Sequence, residues 1–325
     1  MTRKNDRSWK EGISVIVPTF QRPDGIKIAL NSLKKQHVDN RALEIVVADN
    51  DPNGSAREFV TTFAKDCPFD VVYVHVPQPG VSNARNGAMD KARGRFSVFL
   101  DDDMEALDGW VQSLVDTSLK LKAGIVFGPA EALMPDADDP RNSYMKPFFS
   151  RIADMDHEGL MTETLGTGGC LLDLSLCDMP VPAFDTSLNE IGGEDDLLFE
   201  YLRQRGTLVG WSPNARAWEI VPTKRANPEY IWTRNFAFGQ GPTHIHASRG
   251  WKGAPGVLRF MTTGVIQTFI YAPVYLGLKL IGHPAYVKYL AKTARGIGKV
   301  FWADSLSPKL YGNAVLKKPE VAPAE

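Results

Sequence analysis

Four short apolar runs alternate with helical stretches over the first hundred residues, and few folds accommodate that alternation. Gly12 to Val17 (G-I-S-V-I-V), Leu43 to Ala48 (L-E-I-V-V-A), Val71 to Val76 and Phe96 to Leu100 are rich in β-branched or aromatic residues. Each gives way to a loop of polar, glycine or proline residues, as buried strands do. Between them, Pro23 opens a helix in which Ile26, Leu30 and Leu33 share one face. A second helix covers residues 56–65, and a third covers 81–91 with Arg85 and Asn86 in its first turns. Strand and helix alternating in this way predict an α/β fold, a mostly parallel central sheet flanked by helices on both faces. A helix at Trp110 to Leu121 and a strand at Gly124 to Ala130 continue the pattern.

In open parallel sheets ligands gather beyond the carboxyl ends of the strands. The fourth strand runs out there into three carboxylates, F-S-V-F-L-D-D-D from Phe96 to Asp103. Asp101, Asp102 and Asp103 in a partly desolvated crevice repel one another, so water or a bound cation must offset their charge. The alternative is a solvated turn capping the helix near Trp110. Asp49, at the end of the second strand, is placed either to accept a hydrogen bond from a ligand N–H or to close an Asx-turn. Glycines 166, 168 and 169, ahead of the apolar run Cys170 to Leu174, permit close approach of a ligand, or a tightly packed bend. Glu194, Asp195 and Asp196 follow Gly192 and Gly193 at the start of another helix. The backbone dipole favours acidic residues at that position and keeps a carboxylate ionised, as a general base requires. Two separated acidic clusters can divide cation binding from proton removal.

With 325 residues the chain has room for one large α/β domain with additions, or for two modest domains. A net charge of -1 gives no reason to expect nucleic acid. That charge is uneven: from Lys279 onward eight basic residues face three acidic ones, leaving +5 in the tail and -6 elsewhere. Cys67, Cys170 and Cys177 lack metal-ligand spacing, and the polar start M-T-R-K-N-D-R-S-W-K has no secretory apolar core. Both suit a reducing, cytoplasmic setting. Pro135 to Asn142 reads as a loop. His244 and His246 alternate as on a strand, with no third metal ligand evident nearby. Phe260 to Leu278 is uncharged but carries Gln267, three threonines and Pro273. It makes a poor membrane span and suits docking or shallow insertion, with basic residues beyond it facing anionic lipid. The alternative is a helix covering the core.

Taken together, S-V-I-V-P-T-F-Q-R (14–22), E-I-V-V-A-D-N-D (44–51), P-G-V-S-N-A-R-N-G (79–87), F-L-D-D-D (99–103), G-T-G-G-C-L-L (166–172) and G-G-E-D-D-L-L-F (192–199) resemble the family-2 inverting glycosyltransferases of GT-A fold. Within that family the chain looks most like bacterial exopolysaccharide glucosyltransferases of the succinoglycan type, mainly through D-N-D-P-N-G-S-A-R. The resemblance implies a catalytic domain at 12–240, after a polar tail at 1–11 and before a helical, membrane-docking extension at 241–325. It implies Mg²⁺ or Mn²⁺ on Asp101 and Asp103, with Asp102 near the ribose or donor sugar. Thr19, Arg22 and Asp49 match donor-nucleotide positions, Asp49 taking the uracil imide proton, and Arg85 matches a basic residue near the donor. Asp195 matches the catalytic base, and Glu194 an acceptor-binding residue.

Many members of the family place a metal-binding histidine where A-R-A-W-E-I-V-P has Glu219, whose carboxylate is itself a possible ligand for a hard cation. The Q-x-x-R-W signature of processive synthases is absent, which favours one sugar per encounter. The resemblance therefore implies metal-dependent, inverting transfer from a nucleotide-sugar such as UDP-glucose to a saccharide acceptor, such as one linked to polyprenyl diphosphate. The setting implied is the cytoplasmic face of the plasma membrane. The competing readings are a sugar-1-phosphate nucleotidyltransferase, though P-T-F-Q-R-P-D-G is not that class's glycine-rich basic loop, and a non-catalytic sugar-nucleotide-binding assembly protein.

Overall fold

The computed structural model describes residues 11–189 and 192–308; parts of the polar N-terminal and basic C-terminal tails lie outside them. The elements run β1 (Ile13–Thr19), α1 (Pro23–Lys34), β2 (Leu43–Asp49), α2 (Arg57–Asp66), β3 (Asp70–His75), α3 (Val81–Lys91), β4 (Phe96–Phe99), β5 (Met104–Ala106), α4 (Trp110–Leu121), β6 (Ile125–Phe127) and β7 (Ala130–Leu133). There follow α5 (Asn142–Phe149), β8 (Gly159–Met161), β9 (Cys170–Asp173), α6 (Glu194–Gln204), β10 (Val209–Trp211), β11 (Ala217–Ile220), α7 (Pro228–Ala247), α8 (Ala254–Leu280) and α9 (Tyr286–Val300). The described residues form two compact units, 11–131 with 151–219, and 132–150 with 220–308. The resemblance implies a division at 240.

The first unit is built on an eight-stranded sheet of order β3-β2-β1-β4-β9-β6-β10-β8. Strands β3, β2, β1 and β4 are parallel, as expected. Successive residues of the central strands point to opposite faces. Val15, Val17, Ile45 and Val98 join Leu30 and Trp110 in one core layer. Ile16, Val46 and Phe99 join Phe127, Phe199 and Trp211 in the other. Burial on both faces explains why these strands read as continuous apolar runs. Ile26, Leu30 and Leu33 are the buried face of α1, as their spacing predicts.

Strand β9 runs antiparallel to both β4 and β6, with Cys170 opposite Phe99 and Phe127. Its start therefore lies at the edge where β4 ends, and this reversal brings the glycine stretch 166–169 beside Asp101. At the opposite edge two buried carboxylates serve as ties. Glu44 accepts from Ser14 Oγ at 2.6 Å and from Arg93 Nε at 2.8 Å. Asp173, at the end of β9, accepts from Arg95 at 2.8 and 2.7 Å. The expected strand at Gly124 to Ala130 is in fact two, β6 and β7, broken at Gly128 and Pro129. A Cβ at Gly128 would lie 2.0 Å from the Ala215 carbonyl oxygen, so the backbone passes there where no side chain fits.

In the second unit, α9 buries Val287, Leu290, Ala294, Gly296 and Gly298. Close approach requires the glycines: a Cβ on Gly264 of α8 would sit 2.6 Å from the Gly296 carbonyl oxygen, and one on Gly298 would sit 2.1 Å from that of Phe236 in α7. Gly264 is the one fully buried residue of α8. The helix presents large apolar side chains to solvent, Phe269 at 81% and Leu280 at 87%, and Trp251 just before it is 94% exposed. No helix among the described residues is long and apolar enough to cross a membrane. His244 and His246 lie on α7, not on a strand. Asn227 caps that helix by accepting from Tyr230 N at 2.8 Å, and Pro228 fills its first position.

Candidate active site

The carboxyl ends of β1, β2 and β4 bring Thr19, Asp49 and the acidic run to one edge of the sheet, with Thr19 and Asp49 in register. Asp102 is buried, its Oδ2 accepting from Thr19 Oγ1 at 2.9 Å and its Oδ1 from Arg22 Nη1 at 2.7 Å. The same Arg22 nitrogen lies 2.8 Å from Asp103 Oδ2. Burial pushes the Asp102 carboxyl up to about 6, against the pull of Arg22. Burial also works against the Arg22 charge, but Asp102 and Asp103 overcome it and raise its pKa. The backbone of α1 closes on this cluster at Gly25, where a Cβ would lie 2.4 Å from the Asp102 carbonyl oxygen.

Asp49 is fully buried and accepts from Ala56 N at 2.8 Å, Tyr73 Oη at 2.9 Å and Asp51 N at 3.0 Å. Three of the roughly four lone-pair positions of a carboxylate are thus engaged in holding the loop after β2. Of the two tasks the sequence allows this residue, loop closure is the one these bonds describe.

Arg85, buried on α3, bridges the two acidic clusters. Its Nη1 lies 2.5 Å from Glu194 Oε1 and its Nη2 3.4 Å from Asp101 Oδ1. Burial opposes its charge, and Asp101, Glu194 and Asp195 together more than restore it. Burial also pushes the Glu194 carboxyl above its ordinary range, although Arg85 pulls the other way. Asp195, in the first turn of α6, accepts from the Thr167 backbone N and hydroxyl, both at 3.2 Å. A Cβ on Gly166 would lie 3.6 Å from Asp195 Oδ2, and one on Gly168 would lie 2.3 Å from Asp101 Oδ2. Asp101 and Asp195, 94 positions apart in the chain, therefore border one short glycine stretch.

Glu219 on β11 pairs across to Met104 of β5, the residue after Asp103, and its Oε2 accepts from Arg151 Nη1 at 2.6 Å. Arg151 and Thr167 escape sequence reasoning. Thr167 lies inside G-T-G-G, where only the glycines draw attention, and Arg151 stands in no motif.

Among the described residues no three His, Cys, Asp or Glu side chains converge to hold a metal unaided. Mg²⁺ is commonly held by one or two carboxylates, with substrate phosphates and water completing its shell. Asp101 and Asp103 are hard oxygen donors that fit that mode.

Comparison with known proteins gives the class. The glycosyl transferase family 2 model matches residues 14–170. Succinoglycan biosynthesis protein ExoM of Rhizobium meliloti is 34% identical over 70% of this chain and 73% of its own length. The GalNAc(5)-diNAcBac-PP-undecaprenol beta-1,3-glucosyltransferase of Campylobacter jejuni is 34% identical over 32% of this chain and 33% of its own. The crystal structure of S. aureus TarS 1-349 superposes with a TM-score of 0.53 at 15% identity, covering 89% of this chain and 90% of that one. Its complex with UDP gives 0.51 at 17% identity and the same coverage. The chain belongs to glycosyl transferase family 2 and has the GT-A fold. It is a glycosyltransferase, which removes the nucleotidyltransferase and scaffold readings.

Proposed function

We propose that the enzyme transfers one hexose, with inversion, from a UDP-sugar to a saccharide acceptor in exopolysaccharide or cell-surface glycan assembly. The observation that carries the reading is Asp101 and Asp195 bordering one glycine stretch, with Arg85 between Asp101 and Glu194. Asp195 takes the proton of the acceptor hydroxyl while Glu194, held by Arg85, orients the acceptor. The hydroxyl oxygen forms its bond to C1 of the donor sugar as the bond from C1 to the diphosphate oxygen breaks. Thr19, Arg22 and Asp102 hold the nucleoside side of the donor, with Asp49 fixing the loop beside them, and Asp101 and Asp103 would hold Mg²⁺ or Mn²⁺. When bound, that cation offsets charge on the departing diphosphate.

The UDP-bound relative of the same fold supports a uridine donor. Thr167, donating to Asp195 through backbone and hydroxyl, keeps the base aimed. Asp195→Asn is expected to lower turnover by about 10²- to 10⁴-fold while UDP binding, followed calorimetrically, is retained. A variant that still transfers sugar removes Asp195 from the base role. Screening UDP-sugars for acceptor-dependent UDP release, with and without chelator, tests donor and metal together.

A lipid-linked acceptor, of the polyprenyl-diphosphate kind named in the Campylobacter relative, accords with the apolar face of α8 and with a setting against anionic lipid on the cytoplasmic side of the membrane.

A further inference from the structure

Arg151 is only partly satisfied where it stands. Its Nη1 donates to Glu219 at 2.6 Å, its Nη2 points to the Met104 thioether at 3.3 Å, and its Nε is buried without a hydrogen-bond partner. A thioether is a weak acceptor, so Nε and Nη2 are the poorly matched donors of the guanidinium fork. Buried donors in that condition require an explanation, and a ligand that completes them is one.

The neighbours of the fork point to which ligand. A Cβ on Gly168 would lie 3.1 Å from Arg151 Nη2 and 2.3 Å from Asp101 Oδ2, and one on Gly166 would lie 3.4 Å from Arg151 Cδ. The guanidinium and the Asp101 carboxylate therefore both close on Gly168, where the missing side chain lets them approach the same backbone. Glu219 holds Arg151 from β11, and the register of that strand puts it opposite Met104, one residue past Asp103. A planar fork with donors to spare beside this acidic edge matches two phosphate oxygens better than it matches a sugar hydroxyl.

We infer that Arg151 binds the diphosphate of the donor, and that Glu219 is the positioning residue that orients Arg151 rather than a ligand of the cation. This rests on the nucleotide-donor reading above. As the bond from C1 to the phosphate oxygen breaks, its electron pair passes to that oxygen, and a guanidinium already in place stabilises the charge.

Calorimetry with UDP, UMP and uridine, and Mn²⁺ titration of the UDP complex, on wild type, Arg151→Ala, Arg151→Lys and Glu219→Gln test the inference. Arg151→Ala is expected to weaken UDP by about 10- to 100-fold and leave uridine unchanged. Arg151→Lys should fall between, and Glu219→Gln should weaken UDP while keeping the Mn²⁺ affinity of the wild type. UDP binding to Arg151→Ala at wild-type strength overturns the inference, as does equal weakening of uridine and UDP. So does loss of Mn²⁺ binding in Glu219→Gln with metal-free UDP binding intact. A wild-type protein that binds no UDP at all would instead overturn the donor reading, and this inference with it.

Discussion

Asp102 carries the clearest pH signature at the residue scale. Its carboxyl titrates near 6 in the folded protein and near 3.9 in an unfolded chain, so the folded state binds the proton more tightly between those values. The resulting stability is fully present below about 4 and is lost as pH rises through about 6, by roughly 2–3 kcal/mol at most. Asp102→Asn should flatten the wild-type slope between pH 4 and 6 in urea-midpoint measurements. An unchanged slope would mean that Asp102 is ionised throughout that range. Gly168→Ala makes a second case, because its Cβ would overlap Asp101 Oδ2. The carboxylate must move, so turnover should drop at least about tenfold with a stability loss of about 1–3 kcal/mol. Full activity in this variant would show that Asp101 has freedom that its Arg85 contact argues against.

At the scale of elements, the strands that matter most were the easiest to read. β1, β2 and β4 are buried on both faces, so their composition is uniform and their carboxyl ends are marked by Thr19, Asp49 and Asp101. The direction of β9 was not legible, because a four-residue apolar run looks the same whichever way it is threaded. β5, β8 and β10 have three residues each, too few to carry a period. The histidines at 244 and 246 alternate with apolar residues by coincidence within a helix that Asn227 and Pro228 begin. The family resemblance points to Glu219, but no motif points to its partner Arg151, 68 residues earlier. Such a pairing exists only once β11 lies beside β5. Asp195 also illustrates the limit: its place at the start of α6 followed from Gly193 and the acidic run, while its bonds to Thr167 depend on where β9 begins.

At the scale of the whole molecule, Tyr230 to Ala303 contains no Asp or Glu, while Arg234, Arg249, Lys252, Arg259, Lys279, Lys288, Lys292, Arg295 and Lys299 all lie within it. A helix that shows Phe269 and Leu280 to solvent in such a setting has the chemistry of an interfacial element. Flotation with vesicles containing phosphatidylglycerol should recover the wild-type chain and lose a Phe269→Glu, Leu280→Glu variant. UDP release from a soluble donor should be unaffected by the change. Equal recovery of both would assign the exposed face to another partner, with a second copy of the chain revealed by its sedimentation.

The reversal of β9 also bears on when the protein becomes an enzyme during its own synthesis. Strands β3, β2, β1 and β4 are assembled from residues 13–99 alone, whereas β6, β10 and β8 reach them only through a strand completed at Asp173. At about 5–20 residues per second the nascent chain spends on the order of 4–15 s with the acidic end of β4 made and its neighbour missing. During that interval the edge of β4 is unpaired, open to any other extended segment on the same polysome.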